Sequence, residues 1–305
     1  MRKYLSSAHL PVQTVQGDHC KLERIVGGRT CNDLSPIIYF DRTTDRLPQG
    51  YPDHPHRGIE TITYYTAGCA FHEDDLGNYE IIRAGDVQFM TAGRGIVHSE
   101  MPGQYDQDTH GFQLWINLPK KEKYADPYFI NYKSEVVPVL RKNGVAIHVL
   151  AGSFGGTGIL GPAVTKAPII YFDVHLSLVK AYTLDIDSEI NGVIFVYQGA
   201  LIANDIEIPS GKASTFRYTD RERQIDLVSQ TADTRFIIVG GRPLLDDVFH
   251  DDFHVLTSQS ELEAAQKDAM ERRNGFERWQ TWRSKTHALR DRAVYDRWTS
   301  SDDGF

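Results

Sequence analysis

The sequence has little cysteine, no surplus of positive charge and no long hydrophobic run. Its three cysteines, Cys20, Cys31 and Cys69, are widely spaced and form no C-x-x-C pair. This count and spacing exclude a disulfide framework and a cysteine zinc site, and they favour a reducing compartment. Asp and Glu outnumber Lys and Arg by 41 to 33, a formal net charge of −8 at pH 7. We therefore expect no direct nucleic-acid partner, because such proteins carry a basic footprint.

The hydrophobic segments are too short for a membrane protein. The run at 193–197 is typical, whereas a spanning helix needs roughly 20 apolar residues. The first 20 residues also lack the apolar segment of a signal peptide. We therefore expect no membrane partner and a cytoplasmic protein, with the nucleus open in a eukaryote. The 305 residues are 41% hydrophobic and 24% charged, a composition of folded domains, and the length predicts two of them.

The dominant period of the sequence is two residues, which is typical of β-strands. Short runs rich in β-branched and aromatic residues end repeatedly at Gly or Asp, a rhythm that predicts an all-β sandwich or barrel. The second half repeats the rhythm of the first, so two similar β domains are expected. The runs are 60–65, 79–83, 87–90 and 111–117 in the first half, and 145–150, 169–176, 192–197, 200–206 and 235–239 in the second.

A charged, proline-containing stretch at 119–138 separates the two halves. We read it as the connection between a domain at 1–132 and a domain at 133–305. The period changes to a helical one in a tail at about 258–286. Ser258-x-x-Glu261 predicts a capped helix start. Further on, Phe276, Trp279 and Trp282 form the apolar stripe of a second short helix, and we expect this stripe to pack on the β core.

Two short segments carry the chemistry of the sequence. His54-Pro55-His56 is an H-x-H pair and His98-Ser99-Glu100 is an H-x-E pair. Residues i and i+2 of a strand point to the same face, so each pair can aim two ligand atoms at one point. If the strands are antiparallel neighbours, three imidazoles and one carboxylate meet. Such a set suits iron, nickel, copper or zinc and leaves coordination positions open, as a catalytic metal requires.

The spacing of these pairs resembles the cupin superfamily and, within it, the pirin family. The first cupin motif reads G-x5-H-x-H-x3,4-E-x6-G, and here His54-x-His56 is followed by Glu60. The second motif is matched at Gly95-x-x-His98, but it ends in Pro102 where cupins have Asn. The acidic ligand has moved to Glu100, as in pirins. The pirin-like segments are 54–64, 72–78, 85–100, 111–119 and, in the tail, 274–278 with Trp282.

The resemblance implies a fold and a site. It implies two cupin barrels (double-stranded β-helix or jelly-roll) in tandem, followed by a short helical tail, with one metal site in the N-terminal domain. His54, His56, His98 and Glu100 match the positions that bind iron in pirins. Fe(2+) is thus the expected cofactor, with Ni, Mn, Cu and Zn as alternatives. Glu100 is also the candidate catalytic base toward a substrate hydroxyl.

Other polar residues near the motifs each have two alternative roles. Glu60 either orients a ligand imidazole or is an ordinary strand residue. Arg57 and Arg94 either attract an anionic substrate or pair with Asp53 or Asp86, and we favour pairing. The remaining histidines near the motifs, His72 and His110, are either pocket residues or structural ones. The second domain offers the isolated His148 and His175 without an H-x-H partner, so we expect it to be metal-free.

Three functions compete. Pirin-like proteins include flavonol oxygenases, so the resemblance implies a quercetin 2,3-dioxygenase activity with dioxygen and a small phenolic substrate. Other pirins are co-regulators, which implies an iron-dependent redox sensor that binds transcription factors or metabolic enzymes without turnover. A metal isomerase acting on a phosphorylated sugar ranks last, because the segments near the ligands contain Arg57 and Arg94 but no Lys.

Overall fold

A computed structural model describes residues 3–27, 31, 34–217 and 223–300. The chain forms two compact units. We call the unit of Gln13–Glu23, Asp41–Lys133 and Asp246–Phe305 the His-rich unit. The apolar unit consists of Met1–Val12, Arg24–Phe40 and Ser134–Leu245. The C-terminal tail is thus part of the same unit as the H-x-H and H-x-E pairs. The division into domains at residues 132 and 133 stays a prediction.

The first half of the chain is almost entirely β-structure. Its strands form a seven-stranded sheet, in the order β1-β2-β3-β10-β5-β8-β11, and a four-stranded sheet, in the order β4-β9-β6-β7. The strands are β1 (Val12–Gln16), β2 (Cys20–Val26), β3 (Ile37–Asp45), β4 (Tyr51–His56), β5 (Ile59–Ala67), β6 (Cys69–Asp74), β7 (Tyr79–Arg83), β8 (Val87–Thr91), β9 (Ile96–Pro102), β10 (Thr109–Asn117) and β11 (Tyr128–Tyr132).

The apolar unit repeats this architecture with a hydrophobic interior. Its two main sheets run in the orders β12-β13-β16-β23-β18-β21 and β17-β22-β19-β20, and β14 pairs with β15. Its strands are β12 (Val139–Lys142), β13 (Val145–Ala151), β14 (Ser153–Phe154), β15 (Ile159–Leu160), β16 (Ile169–Leu176), β17 (Ala181–Asp185), β18 (Asn191–Gln198), β19 (Ala200–Ala203), β20 (Ile206–Pro209), β21 (Lys212–Phe216), β22 (Gln224–Ser229) and β23 (Thr234–Gly241). Side chains of both sheets, such as Phe172, Phe236 and Leu227, fill one apolar core. The all-β prediction and the tandem cupin fold are confirmed.

The tail contains two short strands and two α-helices. These are β24 (Phe249–His250), β25 (Val255–Leu256), α1 (Gln259–Glu271) and α2 (Arg292–Thr299). Short 3-10 helices lie at Lys120–Glu122, Ser134–Val136, Glu277–Gln280 and Thr286–Arg290. As the sequence predicts, Ser258 caps α1: its Oγ accepts a hydrogen bond from the Glu261 amide, 3.2 Å away. None of the described helices has the length and hydrophobicity needed to cross a membrane.

The aromatic stripe of the tail packs on the β core, as expected. Phe276 is fully buried against Val97 of β9, and Trp279 and Trp282 lie against the same cluster. The stripe is not an α-helix, because the segment that carries Trp279 is the 3-10 helix Glu277–Gln280. Its packing places the tail directly beside the strand that carries His98 and Glu100.

Candidate metal centre

The two ligand pairs lie on neighbouring antiparallel strands. β4 pairs with β9 so that His54 stands opposite His98, and Tyr51 stands opposite Glu100. An irregularity between Tyr51 and His54 offsets the register. The ring centroids of His54 and His98 are 4.3 Å apart, and those of His56 and His98 are 5.1 Å apart. The strand pairing expected from the sequence therefore gathers the three imidazoles.

A glycine immediately after the H-x-H pair lets another segment pass close by. Gly58 has a φ of +79°, and a Cβ there would lie 2.0 Å from the carbonyl oxygen of Val255. No side chain fits that space, and L-residues rarely adopt that φ. The Lys123 ammonium is buried at the same point and donates hydrogen bonds to the carbonyl oxygens of Gly58 (2.9 Å) and Val255 (2.7 Å). The turn that follows His56 is thereby fixed against the tail.

Backbone carbonyls orient two of the imidazoles. His54 donates from Nδ1 to the carbonyl oxygen of Pro52 at 2.8 Å, and His56 donates from Nδ1 to that of Phe253 at 2.9 Å. A carbonyl only accepts, so the proton of each ring resides on Nδ1. Each Nε2 is then left with its lone pair free for a metal. This is the usual way in which outer groups prepare a ligating histidine.

The surroundings of His98 indicate a metal site. Its side chain is fully buried, and neither Nδ1 nor Nε2 has a hydrogen-bond partner. A buried polar atom without a partner costs about 1–3 kcal/mol, so native structures retain few of them without a functional reason. A metal ion accepting an imidazole lone pair removes part of this cost. The donor set therefore fits a divalent metal on structural grounds.

Glu100 has two polar neighbours. Its Oε1 accepts a hydrogen bond from Gln88 Nε2 at 2.6 Å. Thr63 Oγ1 lies 3.4 Å from the same oxygen, and its hydroxyl also donates to Oε1 of Gln113. Gln88 and Thr63 belong to the seven-stranded sheet, and they leave Oε2 available to a metal or to a substrate proton.

The close groups of ligand atoms are two overlapping triads. His54, His56 and His98 form one, and His72, His98 and Glu100 form the other, each with its ligand atoms within 4.8 Å of one another. His72 donates from Nε2 to Asp74 Oδ2 at 3.0 Å, and its ring stacks on Phe129 with centroids 3.8 Å apart. Its Nδ1 has no hydrogen-bond partner, so His72 is a buried histidine next to the centre with one ring nitrogen unpartnered. The assignment of His54, His56, His98 and Glu100 as the ligands stays a prediction.

Burial keeps the imidazoles neutral. It lowers the pKa of His54, and it holds the pKa values of His56 and His98 well below the ordinary range. The neighbouring imidazoles lower the pKa values of His56 and His98 further, because two adjacent imidazolium ions would repel each other. Metal binding requires deprotonated ligands, so the site is in its binding form at neutral pH.

A cavity of about 450 Å³ opens onto this centre. His54, His56 and Glu100 line it from the four-stranded sheet, and Trp115 of β10 and Phe253 of the tail supply aromatic walls. The His56 ring meets Trp115 edge to face, with centroids 4.8 Å apart. Its volume and mixed lining are those of a small-molecule site.

The two arginines near the ligands are engaged in ion pairs, but with partners other than those predicted. Arg57 is buried and pairs with Asp268 of α1 at 3.0 Å, rather than with Asp53 or Asp86. It also donates from Nε to the carbonyl oxygen of Arg94, 2.7 Å away. Arg94 pairs with Asp126 at 3.1 Å on the surface. Asp268 and Asp126 were not anticipated because α1 and the connecting segment approach only in the folded chain.

Three other candidates occupy positions away from the cavity. Glu60 is fully buried and accepts a hydrogen bond from Thr91 at 3.0 Å, and an orienting role toward an imidazole stays a prediction. His110 bonds to Thr44 at 3.2 Å, which fits the structural role. In the apolar unit, His175 pairs with Asp233 at 2.7 Å. The metal-free state of the second domain stays a prediction.

Several residues of the site carry no motif signal. Gln88 and Thr63 look like ordinary strand residues, although Gln88 falls within a pirin-like segment. Phe253 lies in a tail loop almost 200 residues after His56 in the sequence. For Gln88, the signal available in the sequence was a polar residue at a core-facing position of a strand. For Phe253 the sequence held no signal, because the atom that orients His56 is a backbone carbonyl oxygen.

Comparisons with known proteins agree with this fold. A family model described as Pirin matches residues 23–116, and the Pirin C-terminal cupin domain matches residues 171–275. A pirin-like protein of Solanum lycopersicum is 33% identical over 271 residues, which cover 88% of this chain and 92% of that protein. Rattus norvegicus pirin is 31% identical over 281 residues, which cover 88% and 93%.

Solved structures give the same result. A quercetin 2,3-dioxygenase from Acinetobacter baumannii has a TM-score of 0.80 and 25% identity, covering 89% of this chain and 98% of that one. A bacterial pirin from Escherichia coli, solved in complex with nickel(II), has a TM-score of 0.63 at 21% identity. That match covers 79% of this chain and 99% of the bacterial one, and it shows the fold alone.

Proposed function

We propose that this chain, which belongs to the pirin family of the cupin superfamily, is an iron-dependent oxygenase that cleaves a flavonol with dioxygen. The observation that carries the proposal is the buried His98, whose ring nitrogens lack partners beside the prepared Nε2 atoms of His54 and His56. The likeness to a quercetin 2,3-dioxygenase over nearly the whole chain supports this class of activity.

The proposed ligands are His54, His56, His98 and Glu100. Three neutral imidazoles and one carboxylate suit a borderline divalent ion and offset one of its two charges. When bound, the metal supplies open coordination positions and Lewis acidity for substrate oxygens and dioxygen. Iron is the metal we propose on the basis of the family, and nickel, manganese, copper and zinc are the alternatives.

The chain's own residues account for substrate activation. Glu100 faces the cavity, and a flavonol 3-hydroxyl placed there can pass its proton to Oε2. Gln88 holds Oε1, so Glu100 would accept the proton on Oε2 when that oxygen leaves the metal. The product of this step is a flavonolate, the electron-rich form of the substrate that dioxygen attacks.

The cavity suits a flat aromatic substrate. A flavonol is a planar three-ring molecule, and Trp115 and Phe253 border the cavity with aromatic faces and edges. The closed surroundings of His98 and Glu100 exclude bulk water, which strengthens the hydrogen bonds made to the substrate. The three cysteines of the chain are buried and form no disulfide, which fits the cytoplasmic location that we propose.

Turnover of quercetin by metal-loaded protein tests the proposal. Quercetin should be consumed under air, seen as loss of its absorbance, with dioxygen uptake of one molecule per molecule cleaved. Glu100→Gln should retain folding and lose most of the turnover, whereas His110→Ala, outside the cavity, should keep it. An unchanged quercetin spectrum with each of the five candidate metals would contradict the proposed enzymatic function.

That negative result would favour the redox-sensing co-regulator, whose expected partners are proteins. A co-regulator of this kind would capture a protein partner in its ferrous form and would not capture that partner in its ferric form. Element analysis of protein from its native source identifies the resident metal in either case.

A further inference from the structure

The wall of the cavity is acidic and has no cation of its own. Six carboxylate side chains line it, and none of its described lining residues is Lys or Arg. The carboxylates are Asp18, Asp41, Asp45, Asp53, Glu100 and Asp252. Such a wall disfavours an anionic ligand and accepts hydrogen bonds from a neutral one.

Two of these carboxyls have one oxygen without a hydrogen-bond or ion-pair partner, Oδ1 of Asp45 and Oδ1 of Asp53. Asp45 is the more buried of the two, at only 5% exposed, and the hydrogen bonds of its carboxyl with Cys20 and Lys21 leave Oδ1 unpartnered. Asp53 is held through Oδ2, which accepts from the Ser284 amide at 3.4 Å, and Asp18 pairs with Arg290 at 2.7 Å. Asp252 is exposed at the rim. Asp45 is thus a buried acceptor that borders the cavity and has capacity for a donor from a ligand.

Strand geometry separates Asp45 from the metal end of the cavity. Asp41, Thr43 and Asp45 alternate along β3 and face the cavity. In the sheet, β10 lies between β3 and β5, and β5 carries Thr63, whose Oγ1 lies 3.4 Å from Oε1 of Glu100. Two strand spacings correspond to about 10 Å. That span is comparable to the long dimension of a two- or three-ring aromatic molecule.

We propose that Asp45 determines ligand specificity: its Oδ1 accepts a hydrogen bond from a phenolic hydroxyl at the end of the ligand remote from the metal-binding oxygens. The site then selects neutral aromatic molecules with hydroxyl donors at both ends and rejects those with an anionic substituent at the far end. This inference rests on the proposed function, because it takes one end of the ligand to be held at the histidine centre.

Two physical costs produce the selectivity. A ligand without the far hydroxyl leaves Oδ1 buried and unpaired, so it forfeits the hydrogen bond that the hydroxylated ligand gains. A ligand with a sulfate at that end meets Asp45 and Asp53, and none of the described lining residues is a Lys or Arg that would offset its charge. The first cost comes from the missing hydrogen bond to Oδ1, and the second comes from charge repulsion. Two different substitutions of Asp45 therefore separate them.

The test compares matched ligands on metal-loaded protein under nitrogen at pH 8, with binding read from the quenching of tryptophan fluorescence, to which Trp115 in the cavity wall contributes. Quercetin and galangin share the chelating oxygens, but galangin lacks the two hydroxyls of the far ring. Wild type should bind quercetin about tenfold more tightly than galangin. Its affinity for quercetin 3′-sulfate should be at least about tenfold lower than its affinity for quercetin.

The variants Asp45→Leu and Asp45→Asn assign these differences to one residue. Asp45→Leu should bind quercetin and galangin equally, with galangin affinity retained. Above its pKa of about 7 the wild-type Asp45 carboxyl is ionised, and Asp45→Asn keeps an acceptor there but removes the charge. It should therefore preserve the quercetin preference and reduce the loss of affinity for the sulfate. Asp252→Asn, a rim carboxylate in the same cavity, is the matched control and should leave the quercetin-to-galangin ratio unchanged.

The outcomes separate this inference from the proposed function. Equal affinity of wild type for quercetin and galangin, or a tenfold preference that survives in Asp45→Leu, overturns the role of Asp45 alone. Binding of neither flavonol by wild type overturns the proposed function as well. The wild-type comparison needs no variant, so misfolding of Asp45→Leu does not block the test.

Discussion

The Nδ1 atom of His56 donates a hydrogen bond to the carbonyl oxygen of Phe253, 2.9 Å away and 197 residues later in the chain. A residue of the tail therefore sets the proton position on an imidazole of the H-x-H pair. Phe253 also lines the cavity with its ring. The tail thus completes the site chemically, in addition to covering its strands.

Removal of the shared imidazole should abolish metal binding. His98 belongs to both triads of potential ligands, so His98→Ala should reduce the metal content of purified protein by at least tenfold. His110→Ala, which removes a histidine outside the cavity, should leave it unchanged. Mass spectrometry of the elements measures both, and full metal content in His98→Ala would refute the site assignment.

The hydrogen bond from Gln88 to Glu100 should contribute to metal affinity. Gln88→Leu keeps the approximate volume but removes the donor 2.6 Å from Oε1. Partners that orient a ligand typically contribute 10–100-fold in affinity, and we expect a loss of about tenfold in competition titrations against a chelator. Gln198→Leu, in the apolar unit, is the control. Unchanged affinity in Gln88→Leu would mean that Glu100 is positioned by other contacts.

The buried pair of Arg57 and Asp268 should stabilise the His-rich unit. Asp268→Ala leaves the Arg57 guanidinium buried without its carboxylate, at a cost of about 3 kcal/mol in free energy of unfolding. All four tryptophans, at positions 115, 279, 282 and 298, lie in this unit, so their fluorescence in urea reports its unfolding selectively.

A matched surface variant controls for the loss of any ion pair. Glu80 pairs with Lys133 at 2.9 Å with both side chains more than 40% exposed, and Glu80→Ala should cost less than about 1 kcal/mol. Equal effects of the two variants would show that the Arg57 pair contributes no more than an exposed one.

Asp45 should make stability fall as the pH rises from about 4 to 7. Burial, assisted by the charge of Asp108, raises the pKa of Asp45 to about 7 from an ordinary value of 3.8. The native state therefore holds a proton that the unfolded chain has released in this range, and the stabilisation present below pH 4 is lost by pH 7. The loss is on the order of 2–4 kcal/mol.

The comparison with Asp45→Asn isolates this contribution, because other carboxyls titrate in both proteins. Wild type should lose stability relative to Asp45→Asn between pH 4 and pH 7, measured by urea unfolding at each pH. The exposed Asp252→Asn should run parallel to wild type. A constant difference between wild type and Asp45→Asn across this range would contradict the raised pKa.

The motif region was predictable because its information is local. The i, i+2 spacing of His54 and His56, and of His98 and Glu100, places each pair on one face of a strand whatever surrounds it. The β-branched and aromatic runs favour strands at half-buried positions. These two regularities, with the pirin-like residues, were sufficient to anticipate the tandem cupin fold and the gathering of the three imidazoles.

The sequence by itself thus determined the strands, the pairing of two histidine motifs and the family. Only the tertiary structure decided that Asp268 neutralises Arg57, that Phe253 orients His56, and that Oδ1 of Asp45 lies in the cavity wall without a hydrogen-bond partner. The physical reason is separation along the chain. Local spacing fixes the direction in which a side chain points, but the partner it meets depends on which distant segment folds against it.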